Sequence, residues 1–274
     1  NYFLTHFHSD HYGGITKAWM SGTIYCSIPT ANLVHEQLGV DRQFLRPLPM
    51  LTPAVIESQG QAVTVTLLNA NHCPGAIMFL FEVGKRTILH VGDFRWNYDI
   101  MSSQAPLLPF CKRPWSTETQ KRRIDDIFLD TTYCNEKYAL PTQAECIESA
   151  AKLAVEAVKS AQMHRKRLLL LFGAYTIGKE AVYMAVAERL GLKVYVDKRR
   201  YKILSSLEWP PEKLSILTTK PDETILWVVP LGNVNLKKMS SYQTIRMRGF
   251  SRDFDRVVGF RPTGWSMSKS SDIV

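Results

Sequence analysis

The sequence predicts a mixed α/β protein of two units, and three observations carry that prediction. Short apolar runs alternate with helical patterns along the chain; four of the runs in the first half end in clusters of His and Asp; and from Pro141 onward strands and helices alternate as in a layered α/β unit. A chain of 274 residues can bury one large core or two smaller ones. With 45% hydrophobic and 22% charged residues it is not a disordered chain, and no apolar run approaches the ~20 residues that span a bilayer.

The first run, Tyr2-Phe3-Leu4, reads as a strand that passes directly into Thr5-His6-Phe7-His8-Ser9-Asp10-His11, where three of the seven histidines lie. In an extended chain His6, His8 and Asp10 share one side and His11 points elsewhere. Imidazole nitrogen and carboxylate oxygen are ligands that zinc accepts, and a run this dense has donors enough for two ions. Gly13-Gly14 permits a sharp turn, Ile15 to Met20 reads as a short helix, Thr23 to Cys26 as a strand, and Thr30 as the cap of a helix over Ala31 to Leu38. Pro47, Pro49 and Pro53 hold an extended connection.

Val63, Val65 and Leu67 alternate with Thr64, Thr66 and Leu68, the period of a half-buried strand, which runs into Asn69-Ala70-Asn71-His72-Cys73-Pro74-Gly75. Ile77 to Val83 and Thr87 to Val91 form a hairpin across Gly84-Lys85 that ends at Gly92-Asp93, and Ile127 to Leu129 ends at Asp130-Thr131-Thr132-Tyr133. Singly, such an Asp is a turn former and such a His a satisfied polar residue. Together, four strands deliver His6/His8/Asp10/His11, His72, Asp93 and Asp130 at their C-terminal ends, and a sheet with those ends along one edge would gather them into one site.

In the second half Ile147, Ala150, Ala151, Ala154, Ala157, Val158 and Ala161 follow helical spacing. Leu168 to Phe172 is a continuous apolar strand leading into Gly173-Ala174-Tyr175-Thr176-Ile177-Gly178-Lys179-Glu180 and a further helix. That turn is nearly a P-loop but has Glu180, which would repel a triphosphate, where Ser or Thr would hold magnesium; a phosphate pocket beside Lys179 and a plain glycine-bounded strand-to-helix turn with a surface lysine both remain, and a nucleotide-hydrolysing site is disfavoured. Lys193 to Val196, a helix near Tyr201 to Leu207, Ile225 to Val229 and Val257 to Phe260 continue the alternation up to Arg261-Pro262-Thr263-Gly264-Trp265.

Cysteines 26, 73, 111, 134 and 146 are odd in number, widely spaced and without a Cys-x-x-Cys pair, which indicates neither a disulfide framework nor a cysteine zinc knuckle. The 34 basic against 25 acidic residues give a net charge of +9 and favour a polyanionic partner. Basic clusters recur at Lys121-Arg122-Arg123, His164-Arg165-Lys166-Arg167 and Lys198-Arg199-Arg200.

Six motifs in order, Thr-His-Phe-His-Ser-Asp-His, Asn-His-Cys-Pro-Gly, His-Val-Gly-Asp-Phe-Arg, Leu-Asp-Thr-Thr-Tyr, Gly-x-Tyr-Thr-Ile-Gly-Lys-Glu and Phe-Arg-Pro-Thr-Gly-Trp, closely resemble the DNA interstrand cross-link repair nucleases. The resemblance spans Tyr2 to about Trp265 and implies a metallo-β-lactamase αββα sandwich with an inserted α/β β-CASP domain. Expected boundaries are a metallo-β-lactamase domain over 1–140, the β-CASP domain over 141–255 and a return to the first domain over 256–274. Carried over by position, His6, His8 and His72 would hold one zinc, Asp93 would bridge, and Asp10 and His11 would serve a second metal position. Catalytic roles then fall to Asp10, His11 and Asp130, the last as the acidic motif that opens the β-CASP region. Tyr175, Thr176, Gly178 and Lys179 match the region of a 5′-terminal phosphate pocket, with Arg261, Thr263 and Gly264 as further phosphate or DNA contacts.

The same resemblance implies a nuclear DNA repair enzyme, a 5′-to-3′ exonuclease acting on 5′-phosphorylated ends, with other repair proteins as partners and neither a membrane nor a nucleotide cofactor. Its rivals are an RNA-processing β-CASP endonuclease, a small-molecule hydrolase of the metallo-β-lactamase class, and a catalytically impaired repair scaffold. Family members carry a strand before the position of Tyr2 and, after Trp265, a Tyr-Ser-Glu-His-Ser-Ser-like motif whose histidine completes the second metal position; neither lies within these residues. The chain is therefore expected to be a fragment with one well-formed metal position and a second that is one histidine short.

Overall fold

The computed structural model describes residues 1–110, 122–136, 138, 140–247 and 249–264; Cys111, Lys121 and Trp265 lie outside the described residues. Two compact units result, one of Asn1–Thr132 with Ser206–Glu208, the other of Tyr133–Ser205 with the residues from Trp209 onward.

In the first unit β1 (Tyr2–Phe3), β2 (Ile24–Cys26), α1 (Ile28–Leu38) and β3 (Leu45–Pro47) build a small parallel sheet in the order β1-β2-β3. A second sheet follows from β4 (Ala54–Ser58), β5 (Gln61–Asn69), β6 (Ile77–Val83), β7 (Arg86–His90), the short α2 (Tyr98–Ser102) and β8 (Asp126–Phe128), in the order β4-β5-β6-β7-β8. Neighbours are antiparallel as far as β7, and β8 is parallel to β7. Strands β5, β7 and β8 therefore run the same way and end at one edge.

Val65, Leu67, Ile77 and Phe79 form one face of this sheet with Leu48 and Ile56, and Phe3 sets its ring edge-on to Phe79 and Phe81. Leu68, Met78, Leu80 and Leu89 form the other face, covered by Met101, Leu107 and Phe110. Covering both faces explains why β5 is not the half-buried strand its alternation suggests: Val65, Thr66, Leu67 and Leu68 are all buried.

Two local expectations are corrected. Residues 15–20 are not helical: isolated turns (Ile15 N–H to Tyr12 O, 3.0 Å; Trp19 N–H to Thr16 O, 2.9 Å) replace a helix. Trp19 is drawn off to pack edge-on against Tyr2 and to donate its indole N–H to Gly22 O. The cap of α1 is Ser27, which accepts the Thr30 N–H, so Thr30 is inside the first turn, where Pro29 is accommodated because its missing N–H would have no helical partner.

The second unit consists of α3 (Gln143–Met163), β9 (Leu168–Ala174), α4 (Glu180–Leu190), β10 (Val194–Tyr195), α5 (Lys198–Ser205), α6 (Pro211–Ser215), β11 (Leu217–Thr218), β12 (Leu226–Pro230), α7 (Leu236–Met239), β13 (Thr244–Met247), β14 (Phe250–Asp253) and β15 (Arg256–Phe260). Its main sheet is wholly parallel in the order β11-β10-β12-β9-β15, beside a separate β13-β14 hairpin. All seven residues of β9 are buried, as a central parallel strand requires. Helix α3 opens on a capping box between Thr142 and Glu145 and buries Ala151, Ala154, Ala157 and Ala161. The units divide between Thr132 and Tyr133 rather than at 140, and β15, expected to begin a return to the first domain, pairs with β9 along its length and stacks Phe260 on Phe172 at 4.4 Å.

Candidate metal centre

Loops beyond the ends of β1, β5, β7 and β8 carry the clustered His and Asp residues of the first unit. Although β1 belongs to the other sheet, Ile77 N–H binds Thr5 O at 3.0 Å and ties its loop to the start of β6. Gly92, at φ +56°, brings the loop after β7 against the same residue: a Cβ there would lie 2.7 Å from Thr5 Cγ2. Asp93 is thereby held beside His6.

His6 Nε2 lies 3.0 Å from His8 Nδ1, which lies 3.3 Å from His72 Nε2. Asp93 Oδ2 is 3.7 Å from His6 Nε2 and 3.6 Å from His72 Nε2, while its Oδ1 is 3.1 Å from His11 Nε2. These are distances expected of a ligand shell: zinc–nitrogen bonds of about 2.0–2.1 Å at tetrahedral angles put neighbouring donors roughly 3.3 Å apart. A neutral imidazole carries one N–H and one lone pair, so ring nitrogens and a carboxylate converging this closely can turn their lone pairs on a common cation. The donor set fits zinc.

Electrostatics points the same way. Burial, then the neighbouring His8, His11 and His72, pushes the fully buried His6 down to about 2, so it stays neutral and able to ligate. Its Nδ1 is 3.0 Å from the Thr5 hydroxyl, and an Nδ1–H donated to that oxygen directs the Nε2 lone pair into the cluster. Burial raises the Asp93 carboxyl, with Asp130 and Asp10 adding to the rise and His11 opposing it most.

His11 and Asp10 exchange the places the extended-chain argument gave them. The chain turns at His8, whose carbonyl accepts the N–H groups of His11 (3.0 Å) and Tyr12 (3.1 Å), and the turn swings His11 back against His6 and Asp93. Asp10, 76% exposed, stands at the rim with Oδ2 3.8 Å from His11 Nε2. Asp130 accepts the Thr132 N–H and hydroxyl at 2.9 and 2.6 Å, a turn-forming arrangement, yet is close enough to Asp93 to act on its charge.

One donor escaped the sequence reading. Cys73 joins His6, His8 and His72 in a four-donor group whose ligand atoms all lie within 4.8 Å of one another. The signal was its place beside His72 in Asn-His-Cys-Pro-Gly, masked by reading cysteines only as pairs. Loop 69–75 is anchored by Ser27 Oγ donating to Gly75 O at 2.7 Å and by Asn71 Nδ2 on Arg95 O, so His72 and Cys73 are delivered together.

The phosphate-type turn lies in the second unit. Tyr175, Thr176, Gly178 and Lys179 leave the C-terminal end of β9, and Arg261, Thr263 and Gly264 leave the same end of the adjacent parallel β15. Lys179 Nζ lies 5.7 Å from the centre of the Tyr175 ring. Glu180 does not face outward to repel an anion: buried at 4% exposure, it turns back to accept the Gly178 N–H at 2.7 Å, engaging an amide a phosphate would otherwise use. The basic clusters are likewise partly spent internally, Arg123 on Asp125, Arg167 on Asp255 and Arg200 on Tyr175 O.

A DNA repair metallo-β-lactamase family model matches residues 211–274. The chain is 39% identical over 270 residues to the DNA cross-link repair 1A protein of Mus musculus, covering 98% of this chain and 24% of that protein. It is 36% identical over 269 residues to the cross-link repair protein pso2/snm1 of Schizosaccharomyces pombe, covering 97% and 44%. The chain belongs to the DNA cross-link repair metallo-β-lactamase family. Within that family it is also 34% identical over 244 residues to the 5′ exonuclease Apollo of Gallus gallus, covering 89% of this chain and 47% of that protein. This family member spans between about a quarter and a half of the length of these relatives.

Proposed function

We propose that this protein is a zinc-dependent DNA nuclease of cross-link repair, hydrolysing phosphodiester bonds from 5′-phosphorylated ends in the nucleus, with the second unit in the role of the β-CASP insertion. The observation that carries the reading is the two-faced Asp93, one oxygen toward His6 and His72 and the other toward His11, the disposition of a carboxylate shared by two positions. His6, His8 and His72 would hold one ion and His11, with Asp10 at the rim, the other. A metal held here would supply Lewis acidity that lowers the pKa of a water molecule to about 7.

The chain's own residues do the rest. Asp10, exposed beside His11, accepts the proton lost by the attacking water and orients it. Asp93 keeps the two histidine sets in register. Lys179 neutralises the terminal phosphate and sets the end preference, while surplus basic charge holds the strand behind it. The names of relatives, cross-link repair proteins and a 5′ exonuclease, support this substrate class. In the full-length protein Asp10→Ala should cut turnover of 5′-phosphorylated single strands by at least about 10²-fold, the usual scale of a lost general base, with DNA binding retained. Undiminished turnover overturns the reading, and equal digestion of RNA overturns its DNA preference.

A further inference from the structure

The turn between β9 and α4 carries a conformational anomaly. Lys179, at the N-cap of α4, has φ 76° and ψ 3°, and its side chain makes no capping bond. N-caps are ordinarily extended and polar, and a lysine in the left-handed region is strained. The preceding Gly178 is also at positive φ, +102°. Such strain persists only where the surroundings over-determine it, and it concentrates at functional sites.

Two buried groups grip the turn from beneath. Glu180 accepts the Gly178 N–H at 2.7 Å, and Arg200, 8% exposed on α5, donates from Nη1 to Tyr175 O at 2.7 Å. Between them they engage the backbone at both ends of the segment 175–178. A third group, Tyr183, is 1% exposed on the next turn of α4, and its buried hydroxyl has no hydrogen-bond partner among the described residues. Burial raises the Glu180 carboxyl, Arg200 and Lys213 oppose that rise, and Tyr183 feels Glu180 and Arg200 in turn. A buried carboxyl group, a buried guanidinium and a buried phenol cost stability, whereas α1 and α3 of this chain start on a plain Ser27 and Thr142 cap. Ending a strand and starting a helix does not require this cluster.

We propose that Glu180 and Arg200 are positioning residues that hold the turn in the left-handed form presenting Lys179 to the terminal phosphate of a nucleic-acid strand. The proposal rests on the reading of Lys179 as the phosphate contact. Because the Gly178 amide is already engaged by Glu180, the turn offers the Lys179 ammonium rather than that amide to the ligand.

The test uses the full-length, metal-loaded protein and single strands ending in 5′-phosphate or 5′-hydroxyl. Arg200→Ala should raise KM about tenfold on the phosphorylated strand with kcat retained and leave the hydroxyl strand unchanged. Arg200→Lys should restore part of the loss, and Lys179→Ala with Arg200→Ala should be no worse than Lys179→Ala alone. Should the alanine variant fail to fold, Arg200→Lys and Glu180→Gln carry the same comparison, with a smaller selective rise in KM expected. If Lys179→Ala is selective and the Arg200 and Glu180 variants impair both strands equally, the positioning role is overturned and the phosphate reading stands. If Lys179→Ala itself shows no selectivity, both fall.

Discussion

Asp93 presents its two oxygens to different histidines, and replacing one of them with a neutral amide tests whether that sharing matters. Asp93→Asn should lower the bound metal per chain, measured by plasma emission on dialysed protein, because the amide nitrogen cannot ligate and the negative charge between the histidines is lost. In the second unit, Asp255 accepts three bonds from Arg167, from its backbone N–H (2.8 Å), Nε (3.1 Å) and Nη2 (3.1 Å), which pull its carboxyl down to about 2. A carboxyl depressed in the folded state stabilises fully above its unfolded pKa of about 3.9 and loses that contribution as pH falls toward the folded value. Asp255→Asn should therefore shift the melting temperature downward at pH 5–7 and leave it nearly unchanged at pH 2. At this scale the sequence named His6, His8, His11, His72 and Asp93, which the structure brings together, but it missed Cys73 and pointed His11 away from His6. His11 and Asp10 changed places because one carbonyl, His8 O, accepts from both His11 and Tyr12, a turn that alternation along an extended strand does not anticipate.

The elements that matter are loops fixed by neighbours remote in sequence. The β7–α2 loop touches Thr5 only because Gly92 lacks a side chain and tolerates φ +56°. Gly92→Ala should cost about 1–3 kcal/mol of stability, the usual range for forced contacts in a packed site, and should weaken metal binding through displacement of Asp93. Thermal melts and a metal titration read the two effects separately; a full-strength titration would mean that Thr5 yields instead. Strand β4 and the β13-β14 hairpin went unread, but β5, β6, β7, β9 and β12 were legible along the chain because period-2 and continuous apolar runs depend on local chemistry. The helix expected at residues 15–20 was not, since a six-residue pattern holds too few hydrogen bonds to resist the competing Trp19 contacts with Tyr2 and Gly22.

For the molecule as a whole, a charge of +9 makes a measurable claim about binding to a polyanion. Affinity for single-stranded DNA should fall linearly with the logarithm of salt concentration, with a slope of roughly −0.7 per phosphate neutralised. Because Arg123, Arg167 and Arg200 are engaged internally, a variant at solvent-facing Lys198 or Arg199 should reduce that slope by about one phosphate at most. By itself the sequence determined the family, the α/β class, the His and Asp residues that cluster and the strands that carry them, because each is written in residue identity and short-range period. Only the tertiary structure decided that β15 joins β9, that His11 rather than Asp10 meets Asp93, that Cys73 stands among the histidines and that Glu180 is buried beneath its turn. Those are matters of which surfaces meet across tens of residues, and no local period encodes them.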